Sequence, residues 1–223
     1  MPRVARIGLP DFPHHVTQRG NNRQDVFFVD DDHRVYLEIL AEQAEKYGLT
    51  VRGWCLMTNH IHLIATPAAE SSLARAIGRT HFLYTQYINR FHGRSGHLWQ
   101  NRFYSCALDR RHYFYALRYL ERNPIRAKLC RNAWSYRFSS AAAHIGKSDH
   151  TGLLDLKQWR KQTVGLNWKE ILQIPLPQEQ KVSLRLNTHR GRPLVTDRFL
   201  SKLETKLNRR LRPLPVGRPR KEN

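Results

Sequence analysis

Two histidines stand one residue apart in His60-Ile61-His62, where an apolar run begins. Side chains alternate along a strand, so His60 and His62 share one face while Ile61 and Leu63 take the other. Two adjacent imidazoles can hold one divalent cation if a third ligand arrives from elsewhere. The same pattern also describes two hydrogen-bonded histidines at a sheet edge. A second constellation lies in Arg111 to Asn123, R-H-Y-F-Y-A-L-R-Y-L-E-R-N. At roughly 100° per residue, Tyr113, Phe114, Leu117 and Leu120 form the buried stripe of a helix. Tyr119 falls about 200° and Asn123 about 240° from Leu117, so they are i, i+4 neighbours on the face turned away from that stripe. An exposed helix tyrosine and an asparagine before a turn would give the same spacing. Tyr115, at about 160°, is a competing nucleophile on that face.

Chemistry can join the two constellations. A phenol has a pKa near 10, so a tyrosine nucleophile needs a nearby charge or base. A divalent metal held by His60, His62 and the amide oxygen of Asn123 would polarise a scissile phosphate and fix it near Tyr119. Attack would leave a tyrosyl-phosphate and a free hydroxyl, conserving the bond energy for rejoining. Hydrolysis by metal-bound water would not need the tyrosine. An oxygen-rich phosphate complex favours magnesium or manganese, although two imidazoles also suit zinc.

The surrounding pattern must bring these residues together. Phe12 to Gln18 reads as a strand, and Arg19 to Arg23 as a turn. A helix is expected from about Asp31 to Tyr47, then a hairpin of strands, Leu49 to Met57 and His60 to Thr66. A second helix runs from Ser71 or Ser72 to about Phe91, a strand spans His97 to Leu108, and a helix runs from Arg110 to about Arg122. The order β-α-β-β-α-β-α predicts an α+β fold: a ferredoxin-like or split βαβ antiparallel sheet with helices on one face, plus a basic C-terminal extension. Residues 1–150 are expected to form this unit, 151–188 a connecting segment and 189–223 a basic appendage. In that appendage a helix over about Thr196 to Leu211 carries an apolar stripe, Phe199, Leu200, Leu203, Leu207 and Leu211.

Charge points to the partner. Among 223 residues, 38 Lys and Arg stand against 18 Asp and Glu, a formal net charge of +20. An enzyme of small molecules gains little from such self-repulsion, whereas nucleic acid rewards it through counterion release. No run is apolar and long enough to span a membrane, and no signal-peptide pattern opens the chain. The last 35 residues hold 11 Lys or Arg and 3 Asp or Glu, so 11 − 3 = +8 of the charge sits there. The three cysteines, Cys55, Cys106 and Cys130, are odd in number and lack a C-x-x-C pair, which fits a reducing cytoplasm.

Four stretches carry a family resemblance: H-V-T-Q-R-G-N-N-R-Q from His15, W-C-L-M-T-N-H-I-H-L-I from Trp54, G-H-L-W-Q-N-R-F from Gly96 and R-Y-L-E-R-N-P-I-R-A from Arg118. In this order they resemble the REP-associated tyrosine transposases, relatives of the single-tyrosine HUH transposases. The resemblance implies His60 and His62 as the metal-binding pair, Tyr119 as nucleophile and Asn123 as third ligand. It implies nicking and rejoining of single-stranded DNA beside hairpins, through a 5′-phosphotyrosine, by a bacterial cytoplasmic monomer or homodimer. A non-catalytic DNA-binding descendant is the alternative. DNA contacts are expected from Arg19, Asn21 and Arg23, from Trp99, Gln100 and Arg102, and from Arg122 and Arg126. Phe103 reads as core. Gly-Arg-Pro elements resemble the AT-hook core and add Arg190, Arg192, Arg218 and Arg220, entering a narrow minor groove or binding phosphates alone.

Overall fold

The computed structural model describes residues 7–212. Four strands, β1 (His14–Arg19), β2 (Leu49–Met57), β3 (His60–Pro67) and β4 (Tyr104–Ala107), form one antiparallel sheet in the order β2-β3-β1-β4. β3 lies between β1 and β2, which is the split βαβ arrangement that the element order predicts. Pairing sets Thr17 and Cys55 opposite His62, and Arg19 and Met57 opposite His60. The histidine pair therefore occupies an interior strand and not the edge.

Both faces of the sheet are apolar, and each needs cover. On one face Val16, Trp54, Leu56, Ile61, Leu63 and Ala65 pack beneath α1 (Asp30–Lys46) and α2 (Ser72–Phe91). On the other, Cys55, Met57, Ile64 and Cys106 meet Ala116, Leu117 and Leu120 of α3 (Arg110–Glu121). The α+β class and the antiparallel sheet stand as expected, and the two long helices do share a face. Confinement of all helices to one face is corrected: the second apolar face, the one bearing His60 and His62, is covered by α3 and by helices that follow it.

Two features fix α3. Gly53, beside a register shift in β2, lies so close to the helix that a Cβ there would stand 2.4 Å from Leu117 Cδ1. Beneath the last turn, the buried Glu121 carboxylate accepts from Ser140 Oγ at 2.7 Å and from Trp168 Nε1 at 2.8 Å, and pairs with His144 Nδ1 at 2.5 Å. After Glu121 the chain keeps helical backbone angles at Arg122, and Pro124 sits in the first turn of a further short helix, α4 (Asn123–Arg126). A proline near a first turn costs no internal hydrogen bond.

The strand expected over His97 to Leu108 shrinks to Tyr104–Ala107. Gly96, at φ 84°, redirects the chain, and the following loop docks on the first turn: Asn21 N–H donates to Leu98 O at 2.8 Å and Gln100 N–H to Arg19 O at 2.9 Å. That first turn is a single 3₁₀ turn, Asn21–Arg23.

Beyond α3 come α5 (Ala141–His144), α6 (Leu156–Gln162), α7 (Trp168–Gln173), α8 (Gln178–Arg190) and α9 (Asp197–Leu207). Trp159, Trp168, Leu172 and Leu184 join the cluster containing Leu117 and Leu120, so residues 151–188 cover the second face as well as link the ends. α9 is shorter than expected, stopping at Asn208 with φ 45°, and Leu203 and Leu211 pack with Ile7, Leu9 and Ala107.

Candidate active site

β3 aims His60 and His62 at the α3 face, with ring centroids 5.1 Å apart. His60 Nδ1 lies 2.6 Å from Asn59 Oδ1, and the Asn59 amide nitrogen donates to Arg23 O at 3.0 Å. His62 Nδ1 lies 3.0 Å from Nε2 of His15, whose Nδ1 lies 2.8 Å from Thr188 Oγ1 on α8. Burial, followed by the cations Arg19 and Arg126, holds the His60 imidazole down at about 4. Burial, then His60 and His15 as neighbours, holds His62 well below the usual histidine range. Both rings are therefore neutral near pH 7, the state in which an imidazole nitrogen can bind a metal.

Tyr119 meets this pair directly. Its ring is edge-on to His62 at 5.7 Å and to His15 at 6.0 Å. Tyr119 was expected on the face turned away from the buried stripe; instead it is only 4% exposed and joins the same buried cluster as Leu117 and Leu120, against the sheet histidines and beside α8. Arg185 on α8 donates from Nε to the Tyr119 hydroxyl at 3.1 Å, and the Arg126 guanidinium lies 4.9 Å above the ring. Tyr115 is turned elsewhere, its hydroxyl accepting from Arg111 Nε at 2.9 Å.

Asn123 is 1% exposed, and neither its amide oxygen nor its amide nitrogen has a hydrogen-bond partner among the described residues. A buried amide left so costs about 1–3 kcal/mol unless something binds it. Among the described residues no three His, Cys, Asp or Glu side chains gather as a metal cluster. Two imidazoles and an orphaned amide oxygen nevertheless suit a divalent cation that keeps its remaining positions for oxygen ligands.

The expected DNA contacts divide. Arg19, Arg23, Gln100, Arg102, Arg126 and Arg190 are exposed, and Asn21 is half-buried beside them. Trp99 is half-buried, with its ring stacked on His81 at 4.4 Å and its Nε1 donating to His81 O at 3.3 Å. Phe103 is core, as expected. Arg122 is half-buried and donates from its guanidinium to the Leu172 carbonyl of α7. Arg192 donates to Leu211 O at 3.3 Å. Arg190-Gly191-Arg192-Pro193 does not run extended as an AT-hook would, since Arg190 ends α8 and Gly191 caps it at φ 64°. Arg218 and Arg220 lie outside the described residues. His15, Asn59, Arg185 and Thr188 were not anticipated. Of these, His15 and Asn59 stand within the stretches that carry the family resemblance, His15 on the first strand with Thr17 on its face and Asn59 directly before His60.

A model of the family described as "Transposase IS200 like" matches residues 10–123, just over half of the 223. The chain belongs to the IS200-like transposase family. The match takes in β1 to α3 together with His60, His62, Tyr119 and Asn123, and it ends before α8. Among solved structures, the chain is similar to a REP-associated tyrosine transposase bound to a REP hairpin, with TM-score 0.53 and 15% identity over 70% of this chain and 90% of that one. At that identity the likeness speaks for the fold. A Deinococcus radiodurans structure described as a transposase matches with TM-score 0.38 and 18% identity, over 54% of this chain and 96% of that one. No curated protein matches the sequence. No helix among the described residues is long and apolar enough to cross a membrane.

Proposed function

We propose that this IS200-like transposase nicks and rejoins single-stranded DNA at hairpin-bearing sequences, with Tyr119 as nucleophile. The observation that carries the reading is the meeting of Tyr119 with His62 at 5.7 Å, four residues before an asparagine whose buried amide has no partner among the described residues. His60, His62 and Asn123 would hold a divalent cation, magnesium or manganese. When bound, it supplies polarisation of the scissile phosphate and neutralisation of developing charge. Tyr119 Oη attacks phosphorus, the bond to the 3′ oxygen breaks, and the products are a 5′-phosphotyrosine and a free 3′ hydroxyl. Arg185 donates to the Tyr119 oxygen, which orients it and sets a positive charge beside it as its proton leaves to solvent. The departing 3′ oxygen, where negative charge builds, takes a proton up. Arg19 and Arg126, exposed beside the pair, oppose the phosphates of an incoming strand, as Arg23 and Arg102 do farther out. The hairpin as recognition feature is proposed from the likeness to the REP-hairpin-bound structure. In this reading residues 1–150 supply the nucleophile and the metal ligands, and α8 adds Arg185 to the site. Arg190, with the Arg218 and Arg220 that lie beyond the described residues, adds phosphate contacts.

The test is incubation with labelled single-stranded hairpin DNA and magnesium or manganese, followed by denaturation. The expected result is a covalent protein–DNA adduct that is lost in Tyr119→Phe and in His60→Ala. Cleavage without an adduct that survives Tyr119→Phe would replace this reading with metal-dependent hydrolysis. Uncut DNA bound with steep salt dependence would replace it with DNA binding alone.

A further inference from the structure

A histidine can bind a metal through either ring nitrogen, and the nitrogen left bare is decided by what its other nitrogen donates to. In this site both rings are engaged at Nδ1, and each engagement has a direction fixed farther out. Beside His60, Asn59 donates its amide nitrogen to the Arg23 carbonyl at 3.0 Å, which can only accept. The Asn59 oxygen is thereby turned to His60 at 2.6 Å and can only accept in turn, so His60 Nδ1 carries the proton.

The second chain is longer. Thr188 gives its one hydroxyl proton to the Leu184 carbonyl at 2.7 Å. Its two lone pairs then receive His15 Nδ1–H at 2.8 Å and the Cys106 thiol at 3.2 Å. His15 is 1% exposed and pairs with no carboxylate among the described residues, so its ring is neutral and its Nε2 is bare. That nitrogen accepts from His62 Nδ1 at 3.0 Å. Every link has one donor, and the chain again ends on a backbone carbonyl.

We propose that these two relays, Arg23–Asn59–His60 and Leu184–Thr188–His15–His62, lock both histidines as Nδ1–H tautomers and present two Nε2 lone pairs to one divalent cation. Asn59, His15 and Thr188 are positioning residues. The inference rests on His60 and His62 being the ligands proposed above. It also gives α8, which lies beyond the family match at residues 10–123, a part in preparing the site.

The experiment is nitrogen-15 imidazole NMR of the full-length, metal-free chain at neutral pH, paired with manganese titration read by electron paramagnetic resonance. The expected wild-type spectrum has proton-bearing Nδ1 and bare Nε2 at both His60 and His62. Thr188→Val removes the acceptor for His15 and should scramble the tautomer of His62 while leaving His60 unchanged; manganese affinity should fall about 10–100-fold. Thr188→Ser should restore both. Asn59→Leu should do to His60 what Thr188→Val does to His62. A wild-type spectrum with Nε2–H at either ring overturns the relays even if no variant folds, and so does a folded Thr188→Val that keeps the tautomer and affinity of the wild type. Reversed tautomers with manganese still bound by the pair would overturn the relays alone. The expected tautomers with no manganese binding that His60→Ala removes would overturn the metal reading, and with it the purpose given to the relays.

Discussion

Tyr115 and Tyr119 stand one helical turn apart on α3, and only the second faces the histidines. Tyr115 accepts from Arg111, whereas the Tyr119 ring sits 5.7 Å from His62. Tyr115→Phe should therefore keep the covalent DNA adduct and Tyr119→Phe should abolish it, as gel analysis after denaturation would show. Asn123 carries a second expectation. Its amide is buried with both polar atoms unpaired, a cost that a bound cation would remove. Manganese at about 100 times its Kd should stabilise the wild type by about 2.7 kcal/mol. In Asn123→Ala the same manganese concentration should give little or no rise in Tm by calorimetry. Equal rises in both proteins would dismiss Asn123 as a ligand. The four residues of this core were legible from local strand alternation and helical spacing only as two separate pairs, and the family resemblance joined them and chose Tyr119 over Tyr115. Their partners were not: His15 lies 47 residues from His62, and Thr188 lies 173 from His15, so only the β1–β3 register and the docking of α8 bring them together.

At the scale of elements, the position of α3 on the sheet decides where Tyr119 and Asn123 stand. The close approach at Gly53 is the most sensitive point of that contact. A Cβ at 2.4 Å from Leu117 Cδ1 would also meet Ser140 Oγ at 3.3 Å, part of the network around Glu121 at the end of α3. Gly53→Ala should cost about 1–3 kcal/mol in urea unfolding, as overpacking does in a dense core. It should also lower adduct formation, with hairpin affinity nearly unchanged. A stable variant with full activity would mean that α3 can ride over the added methyl. The elements most readable from sequence were those with a strong period: α1, expected from about Asp31 to Tyr47, spans Asp30–Lys46. α8 escaped because of its three aliphatic residues, Val182, Leu184 and Leu186, only Leu184 is buried. With no apolar stripe, a helix held by Thr188 and Leu184 against a histidine-bearing sheet leaves no periodic signal. β4 was overextended because Leu98, Trp99 and Phe103 give the run strand-like residue types, while its backbone at Leu98 and Gln100 bonds to the first turn instead.

Over the whole molecule, charge and buried histidine set how solution conditions act. The +20 net charge predicts steep salt dependence of hairpin binding, and truncation after Arg212 removes Arg218, Arg220, Lys221 and Glu222, a net +2. At about 0.7 per phosphate contact on single strands, the slope of log K against log salt should flatten by roughly 1–2. Cutting farther back, at residue 189, would also strip Leu203 and Leu211 from their packing with Ile7 and Leu9 and confound the measurement. Acid acts through a different route. Burial lowers His14, His33 and His60 to about 4 and His15 to about 3, and lowers His62 in the same direction, against an ordinary value of 6.5. Between 6.5 and about 4 the unfolded chain thus binds more protons than the folded one. Stability present in full above pH 6.5 must fall as pH drops through that window, by up to about 1.4 kcal/mol per pH unit for each such group. His33 isolates one share of this slope. Its ring stacks between Phe27 at 4.2 Å and Phe138 at 3.7 Å, and its Nε2 is buried without a partner. His33→Phe keeps a flat ring in the stack and has no proton to gain. Chemical denaturation of metal-free protein at pH 7.5, 6.0 and 5.0 should show a steep loss for the wild type and a shallower one for His33→Phe, by about that single-group slope. Parallel curves would mean that His33 is protonated in the folded chain, and that the acid sensitivity belongs to the histidines around β1 and β3 or to charge repulsion alone.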